Sequence, residues 1–560
     1  MQESWRIWGS RGRRDDAMAD LFPRDLFNPV RSYHPDEYQV FKSLSNMRPR
    51  KLDFDPGNYI YPSLHTYLVG AAEGVASLLG VVQLRGDLGY YFDHPDAMGR
   101  MYLVGRALSL LAAAGALLLV WRVGEAMGRG TGLMALVLLA AMPALGIHAH
   151  SLTRDTLAAV AAIAFFMACL KVAETGLVCL RVAATQEAHK EAKWFDIAGA
   201  AAGLCVALQY FAVVLWLMIP LAAVLRLTRH GGSKRSLAIG LATSFVVMIA
   251  VFCFTNPYHV IHVGRFLADF RSETTHMGGG ILGRIVSLGW LTHLPKMLPF
   301  LATWPLAVVV GLGVLVALVR RRPDDWLLLA WLVLWGGVVG LDGRVYSRYY
   351  VPLLPALALV GARGLAGVGE LVARVAKARW CGVVVVLVLL AGGVSRAVVV
   401  TYGWSRLYAL ENSRTLAGEW IAKRVPAGAR IGVTEPPWQY EMPPLDRDKY
   451  RLVAMRGGAE GSPYDLARLM QAQPDYFVTS SIQCGTMPGQ GDGRDEASRF
   501  WRFLFSGQMY RVAKVFRIEQ PFLPADTWRL PEDMRYVNPV IYVLERATAQ
   551  AAARVPRTKG

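Results

Sequence analysis

Cysteine is scarce in this chain, six residues in 560, and neither a Cys-x-x-Cys pair nor a metal-ligand spacing occurs. Cys169, Cys205, Cys253 and Cys381 fall in or beside apolar runs, Cys179 lies in a basic connection, and Cys484 stands alone in the last part of the chain. A disulfide within that last part is therefore excluded. Charge is also scarce, at 18% of residues against 54% hydrophobic, which is more apolar side chain than a soluble domain needs. No internal repeat and no low-complexity tract is present. Residues 1–32 carry RGRRDD without an apolar core, so they read as neither signal peptide nor span. The net charge is +18, which in a soluble protein would raise nucleic acid as a partner. No basic stretch is interleaved with aromatics, and no nucleic-acid partner is expected.

What is abundant is long apolar sequence. About ten runs approach the roughly 20 residues that cross a bilayer: 98–121, 131–149, 155–171, 196–209, 211–226, 237–255, 297–319, 326–341, 349–370 and 380–401. The unit 196–226 is split at Gln209–Tyr210, a polar break. Lys and Arg cluster on alternate connections: Arg122 and Arg129; Lys171 to Lys193; Arg226 to Arg235; Arg320 to Arg322; and Arg363 to Arg379. The positive-inside rule puts these on the cytoplasmic side. Residues up to 97, His150–Asp155, the turn at Gln209, Asn256–Lys296, Asp342–Arg348 and everything after 401 then face outward. Residues 61–82 are apolar but begin Tyr-Pro-Ser and contain Glu73, which suits a juxtamembrane helix that does not cross.

From residue 405 charge, Pro and Gly return. ARIGVT (429–434), DYFVTS (475–480), YRVAKVFRI (510–518) and PVIYVLER (539–546) are rich in β-branched and aromatic residues and predict strands. NSRTLAGEWIAKRV (412–425) predicts a helix with a polar start and a basic end, stopped by Pro426. The expectation is a mainly α, polytopic membrane protein in three parts: an outward N-terminal segment (1–97), a span domain (98–401) and a small extracytoplasmic α/β domain (405–560).

Three outward-facing clusters are candidates for chemistry. Asp36 and Glu37, with His34 beside them, open a polar stretch next to the apolar chain. A carboxylate there suits a general base; Pro-Asp-Glu is equally a helix start, and both readings stay open. Asp53 and Asp55 lie in DFDPG, which marks a turn. In HAHSLTRDTLAA, Arg154 and Asp155 sit where one span ends and the next begins; charge at that place is often functional, though Asp155 also suits a cap. His148 and His150 lack a third ligand, so no metal site is expected. In LDGRVYSRYYVPLLPAL, Arg344, Arg348 and Tyr349 lie at an outer span end. Guanidinium grips phosphate with paired hydrogen bonds; a Tyr/Arg anchor belt is the plainer reading. The connection 256–296 suits a mobile substrate flap or simply a solvated loop.

Taken together, HPDEYQVFKSL…DPGNYIYPSLHTYL, SLTRD and RYYVPLLPALALVGARGL resemble the membrane glycosyltransferases of the GT-C fold, in the protein O-mannosyltransferase and aminoarabinose transferase-like branch. The likeness covers most of residues 33–370 and lies in the combination, since each motif is short. It implies a polyprenyl-phosphate-linked sugar as donor and an acceptor protein, lipid or glycan at the outer face of a plasma or inner membrane. Transfer would occur with inversion and without a cofactor. It implies Asp36 as the base, Glu37 shaping it, Asp155 as a second active-site acid, and Arg344 and Arg348 near the lipid phosphate with Tyr349. His34, Arg154 and His150 are further cleft candidates. The family carries a span ahead of the acidic loop, where residues 1–32 show none. An upstream start or a truncated or divergent member is the expectation this raises. A lipid-linked glycan transporter and a non-catalytic assembly protein are the alternatives.

Overall fold

The computed structural model describes residues 34–547, except 86–89, 92–93, 175–185, 232, 277–288, 342–345, 436–439, 447, 457–460, 485–494, 521–522 and 524–529. Among the described residues, six helices are long and apolar enough to cross a membrane: Asp96–Met127, Asp155–Glu174, Tyr210–His230, Lys234–Thr255, Ser347–Val375 and the run Arg379–Arg424. A seventh arises if the pair Thr131–Ala141 and Pro143–Ala149, bent by 64°, is one broken span. This is a multi-pass membrane protein with fewer uninterrupted crossings than the about ten expected. The stretch 297–319 is divided at Thr303 between helices Gly289–Ala302 and Trp304–Arg320. Thr303 has φ +65, an uncommon conformation for a β-branched residue, and periodicity gives no sign of it. Helix Gln186–Leu208 has a polar first half, and Pro323–Gly340 carries Asp324 and Asp325 in its first turn, so neither is apolar over a full crossing length. The break at Gln209 does occur. The helix stops at Leu208, Gln209 is extended, and a 3-10 turn Tyr210–Leu217 leads into Met218–His230.

Contacts divide the chain into two units. One comprises Gln39–Val82 and Tyr102–Ser405; the other comprises Met1–Tyr38, Gln83–Met101 and Arg406–Gly560. In the helical unit, Asp155–Glu174 and Ser347–Val375 are the most enclosed of the apolar helices. The first buries Ala158, Ala159, Ala162 and Ala168; small residues let backbones approach where lipid offers no hydrophobic drive. The second, running on into Leu354–Val375, packs against Trp304–Arg320 through Gly364 and Gly313. A Cβ on Gly364 would lie 2.6 Å from the Gly313 nitrogen. Gly364→Val should therefore push these helices apart at a cost of about 1–3 kcal/mol. A lower unfolding temperature in detergent is the expected result; an unchanged one would contradict this packing. Next to Gly364 on the same helix, Arg363 is buried, donating to Asp325 Oδ1 at 3.1 and 2.9 Å and to the Met127 carbonyl at 3.1 Å. Asp324 lies 3.0 Å away. A charge inside apolar surroundings has to be matched this way.

The helix Leu64–Leu78 has 15 residues, short of a crossing. Glu73 is buried on it, with neither carboxylate oxygen hydrogen-bonded among the described residues, and burial pushes its carboxyl up to about 8.

The other unit holds a five-stranded sheet. Its strands are β1 Arg430–Val433, β2 Arg451–Ala454, β3 Tyr476–Ser480, β4 Tyr510–Phe516 and β5 Ile541–Arg546, in the order β2-β1-β3-β5-β4. β1 runs parallel to β2 and β3; β5 runs antiparallel to β3 and β4. The helix Ser413–Arg424 is capped by Asn412, whose side chain accepts from the Arg414 N–H, and buries Ala417 and Ile421 against Ile431, Val433, Val478 and Val543. Helix Glu496–Leu504 covers Phe477 and Leu544 with Phe500 and Trp501. β2 was not expected, because four residues after a charged, turn-rich stretch give almost no alternation to read.

Candidate active site

Within the helical unit, the stretch after the bend at Met142 sets an acid and a base side by side. Helix Pro143–Ala149 ends, and a new helix begins at Asp155. Unpaired N–H groups at a helix start favour a carboxylate, so Asp155 is both a first-turn acid and a buried one, 1% exposed. Its Oδ1 accepts from Gln209 Nε2 at 2.9 Å. The extended backbone at Gln209 is what aims that amide at the carboxylate. One residue earlier, the buried Arg154 guanidinium lies over the Tyr61 ring, 3.7 Å from its centre, a close cation–π contact.

Tyr61 belongs to a loop built by its own acids. Asp55 Oδ1 accepts from the Gly57 N–H at 2.9 Å and the Tyr59 hydroxyl at 2.7 Å. Gly57 has φ +65, which glycine adopts without cost. Asp53 accepts from the Asp55 N–H at 3.2 Å. Both acids are thus turn residues, as DFDPG predicts. The loop is braced from residues 256–269. Asn256 accepts from the Ser63 N–H at 2.6 Å, Tyr258 from the Phe54 N–H at 2.9 Å, and Asp269 from the Tyr59 N–H at 3.1 Å. The Tyr210 hydroxyl donates to the Tyr59 carbonyl at 2.8 Å and meets His259 Nε2 at 2.7 Å, so Nε2 carries the proton and donates. Burial pushes His259 down to about 4, which keeps the imidazole neutral.

The third stretch is the 3-10 turn Ser347–Leu353. Ser347 Oγ is 2.9 Å from His148 Nε2, joining this turn to the stretch that carries Arg154 and Asp155. Arg348 is buried between aromatic faces, 4.5 Å from the centre of Tyr346 and 5.2 Å from that of Tyr349. Trp335 Nε1 donates to the Tyr349 carbonyl at 2.8 Å, and Tyr350 bonds His293. Arg344 lies outside the described residues, as does part of the expected flap. His150 donates from Nδ1 to the Gly146 carbonyl at 2.6 Å, so that ring nitrogen closes the end of its own helix.

In the other unit, Asp36 and Glu37 stand in the first turn of helix Pro35–Asn46. Glu37 is fully buried and Asp36 half-buried. The Asp36 N–H donates to His34 Nδ1 at 3.2 Å, and the buried His34 ring meets Tyr536 edge-on at 6.2 Å. The helix start read from Pro-Asp-Glu is therefore real, and it leaves the Asp36 side chain the more open of the two acids.

The helical unit brings together Tyr61, His148, Arg154, Asp155, Gln209, Ser347 and Arg348. Tyr61, Gln209 and Ser347 were not singled out from sequence. The only signal for Gln209 was that it interrupts an apolar run, and Tyr61 and Ser347 gave none beyond their place in the family-like stretches.

No family model matches the chain, and no curated protein matches it by sequence. Among solved structures, it is similar to ArnT from Cupriavidus metallidurans bound to undecaprenyl phosphate, with a TM-score of 0.46 and 13% identity over 97% of this chain and 96% of that one. It is also similar to the oligosaccharyltransferase of Archaeoglobus fulgidus in the apo form, with a TM-score of 0.46 and 13% identity over 91% of this chain and 72% of that one. The same oligosaccharyltransferase tethered to an acceptor peptide gives a TM-score of 0.44 at 12% identity, over 86% and 69% of the two chains.

Proposed function

We propose that the chain is an inverting glycosyltransferase that moves a sugar from a polyprenyl-phosphate donor to an acceptor at the outer face of a plasma or inner membrane. One observation supports this above the rest. The stretches DPGNYIYPSL, SLTRD and SRYYVPLLPAL lie about ninety and two hundred residues apart in sequence and meet through Arg154 on Tyr61 and His148 on Ser347. A buried acid and two guanidinium groups gathered on one apolar helical unit are costly to keep there without a use.

In this reading the acceptor hydroxyl or amine attacks the anomeric carbon. Its proton passes to Asp36, the bond from that carbon to the phosphate oxygen breaks, and polyprenyl phosphate leaves with the electron pair. Attack opposite the leaving group inverts the configuration. Arg348, with Arg344 and Tyr349, stabilises the charge that develops on the phosphate. Asp155 orients the cleft with Arg154, and Glu37 supports Asp36. The membrane holds the donor at fixed depth, which supplies positioning. The α/β domain, 405–560, faces outward.

The test is to purify the protein into nanodiscs, supply polyprenyl-phosphate sugars with candidate acceptors, and follow both sugar transfer and polyprenyl phosphate release. Equal yields of the two, with the anomeric configuration inverted, are expected. Movement of intact donor across vesicles containing the protein, with no transfer by any donor, would replace this reading with a transporter.

A further inference from the structure

The helix Val263–His276 carries three distinct faces. One braces the loop: Arg265 donates to the Gly57 carbonyl at 3.2 Å, Asp269 accepts from Tyr59, and Phe266 packs its ring 5.1 Å from His259 and 5.6 Å from Tyr210. A second face bears Gly264, Ala268 and Arg271, all exposed. The third bears Val263, Leu267 and Phe270 at i, i+4 and i+7, a single stripe, and they are 53%, 56% and 40% exposed.

That stripe does not stand alone. Just ahead of it in the chain, Val260 and Ile261 are 53% and 64% exposed, and Phe254, at the end of helix Lys234–Thr255, is 87% exposed. Only 11% of the apolar window of that span is buried, and Phe245, Val246 and Ile249 are exposed along it. A span so open within the chain faces lipid, and the short stretch of chain that joins it to the stripe carries the exposed apolar residues Phe254, Val260 and Ile261. The helix lies past the end of the span opposite Lys234 and Arg235, and Arg271 borders its apolar face, as on helices that rest among lipid headgroups.

We propose that helix Val263–His276 lies in the bilayer interface, with Val263, Leu267 and Phe270 at the acyl boundary, and that this lipid contact fixes the loop Asp53–Ser63 through Asp269 and Arg265. The occupant of the stripe is the phospholipid surface. This rests on the span and on the loop contacts, not on the transfer reaction, and it stands or falls apart from that reading.

The experiment places a fluorophore on Leu267→Cys, and separately on Ala268→Cys, in a chain whose native cysteines are replaced, in nanodiscs containing brominated phosphatidylcholine. Position 267 should lose intensity to the bromolipid and be protected from aqueous iodide, with position 268 showing the reverse. Quenching of 267 by iodide alone would overturn the proposal by leaving the face in water. Protection from both quenchers would overturn it in favour of a second protein surface. A parallel measurement keeps the native cysteines. Leu267→Asp should speed amide hydrogen exchange across residues 53–63 in nanodiscs, while Ala268→Asp should not. Equal exchange in both variants would remove the brace.

Discussion

Asp36→Asn is expected to slow sugar transfer severely while the protein stays folded. Asn keeps the shape and the hydrogen-bonding reach of the side chain but cannot take a proton at neutral pH. Loss of a general base costs roughly 10²–10⁴-fold in rate, and the deficit should appear in kcat with donor affinity little changed. Asp36 also stands in the first turn of helix Pro35–Asn46, where a carboxylate contributes about 0.3–1 kcal/mol through the helix dipole. The two roles separate cleanly. A helix-start role alone predicts a slightly lower unfolding temperature and full activity. Asp36→Glu supplies the control, since it restores a base one methylene displaced and should recover part of the rate. Wild-type transfer by Asp36→Asn would remove Asp36 from the reaction.

Arg348→Ala is expected to cost about 10²–10³-fold in transfer, the size seen when one donor to a developing charge is lost. The residue is 6% exposed and held against Tyr346 and Tyr349, so its planar head is oriented before any ligand arrives. Arg348→Lys keeps the charge but loses the fork and the stacking, and should fall between wild type and Arg348→Ala. A phosphate role predicts that inhibition by free polyprenyl phosphate weakens in the same order. An anchor-belt role predicts instead that Arg348→Ala lowers the unfolding temperature and leaves inhibition by polyprenyl phosphate where it was. That result would sink the phosphate assignment.

Within the helical unit, the proposed site draws on elements the chain keeps far apart in sequence. Asp155 is fixed by an amide from Gln209, and the turn at Ser347 by His148. A change at either partner should act through the residue it holds rather than through the substrate.

Local sequence was enough for the elements whose signals are local. Apolar length marked the helices Asp155–Glu174, Lys234–Thr255 and Ser347–Val375. Asn412 and Pro426 bounded a helix at Ser413–Arg424, four of the five strands followed their β-branched runs, and DFDPG made its own turn through Asp55 and Gly57. Each of these depends on neighbours within a few residues, so the covalent order already contains the cause. Other features were decided only by folding: the left-handed break at Thr303, the strand Arg451–Ala454, and the contacts of Tyr61, Gln209 and Ser347 with Arg154, Asp155 and His148. A short strand gains its stability from partners on either side, a strained φ persists only because the packing around it requires it, and a contact between residues far apart in sequence exists only once the chain has closed the loop between them.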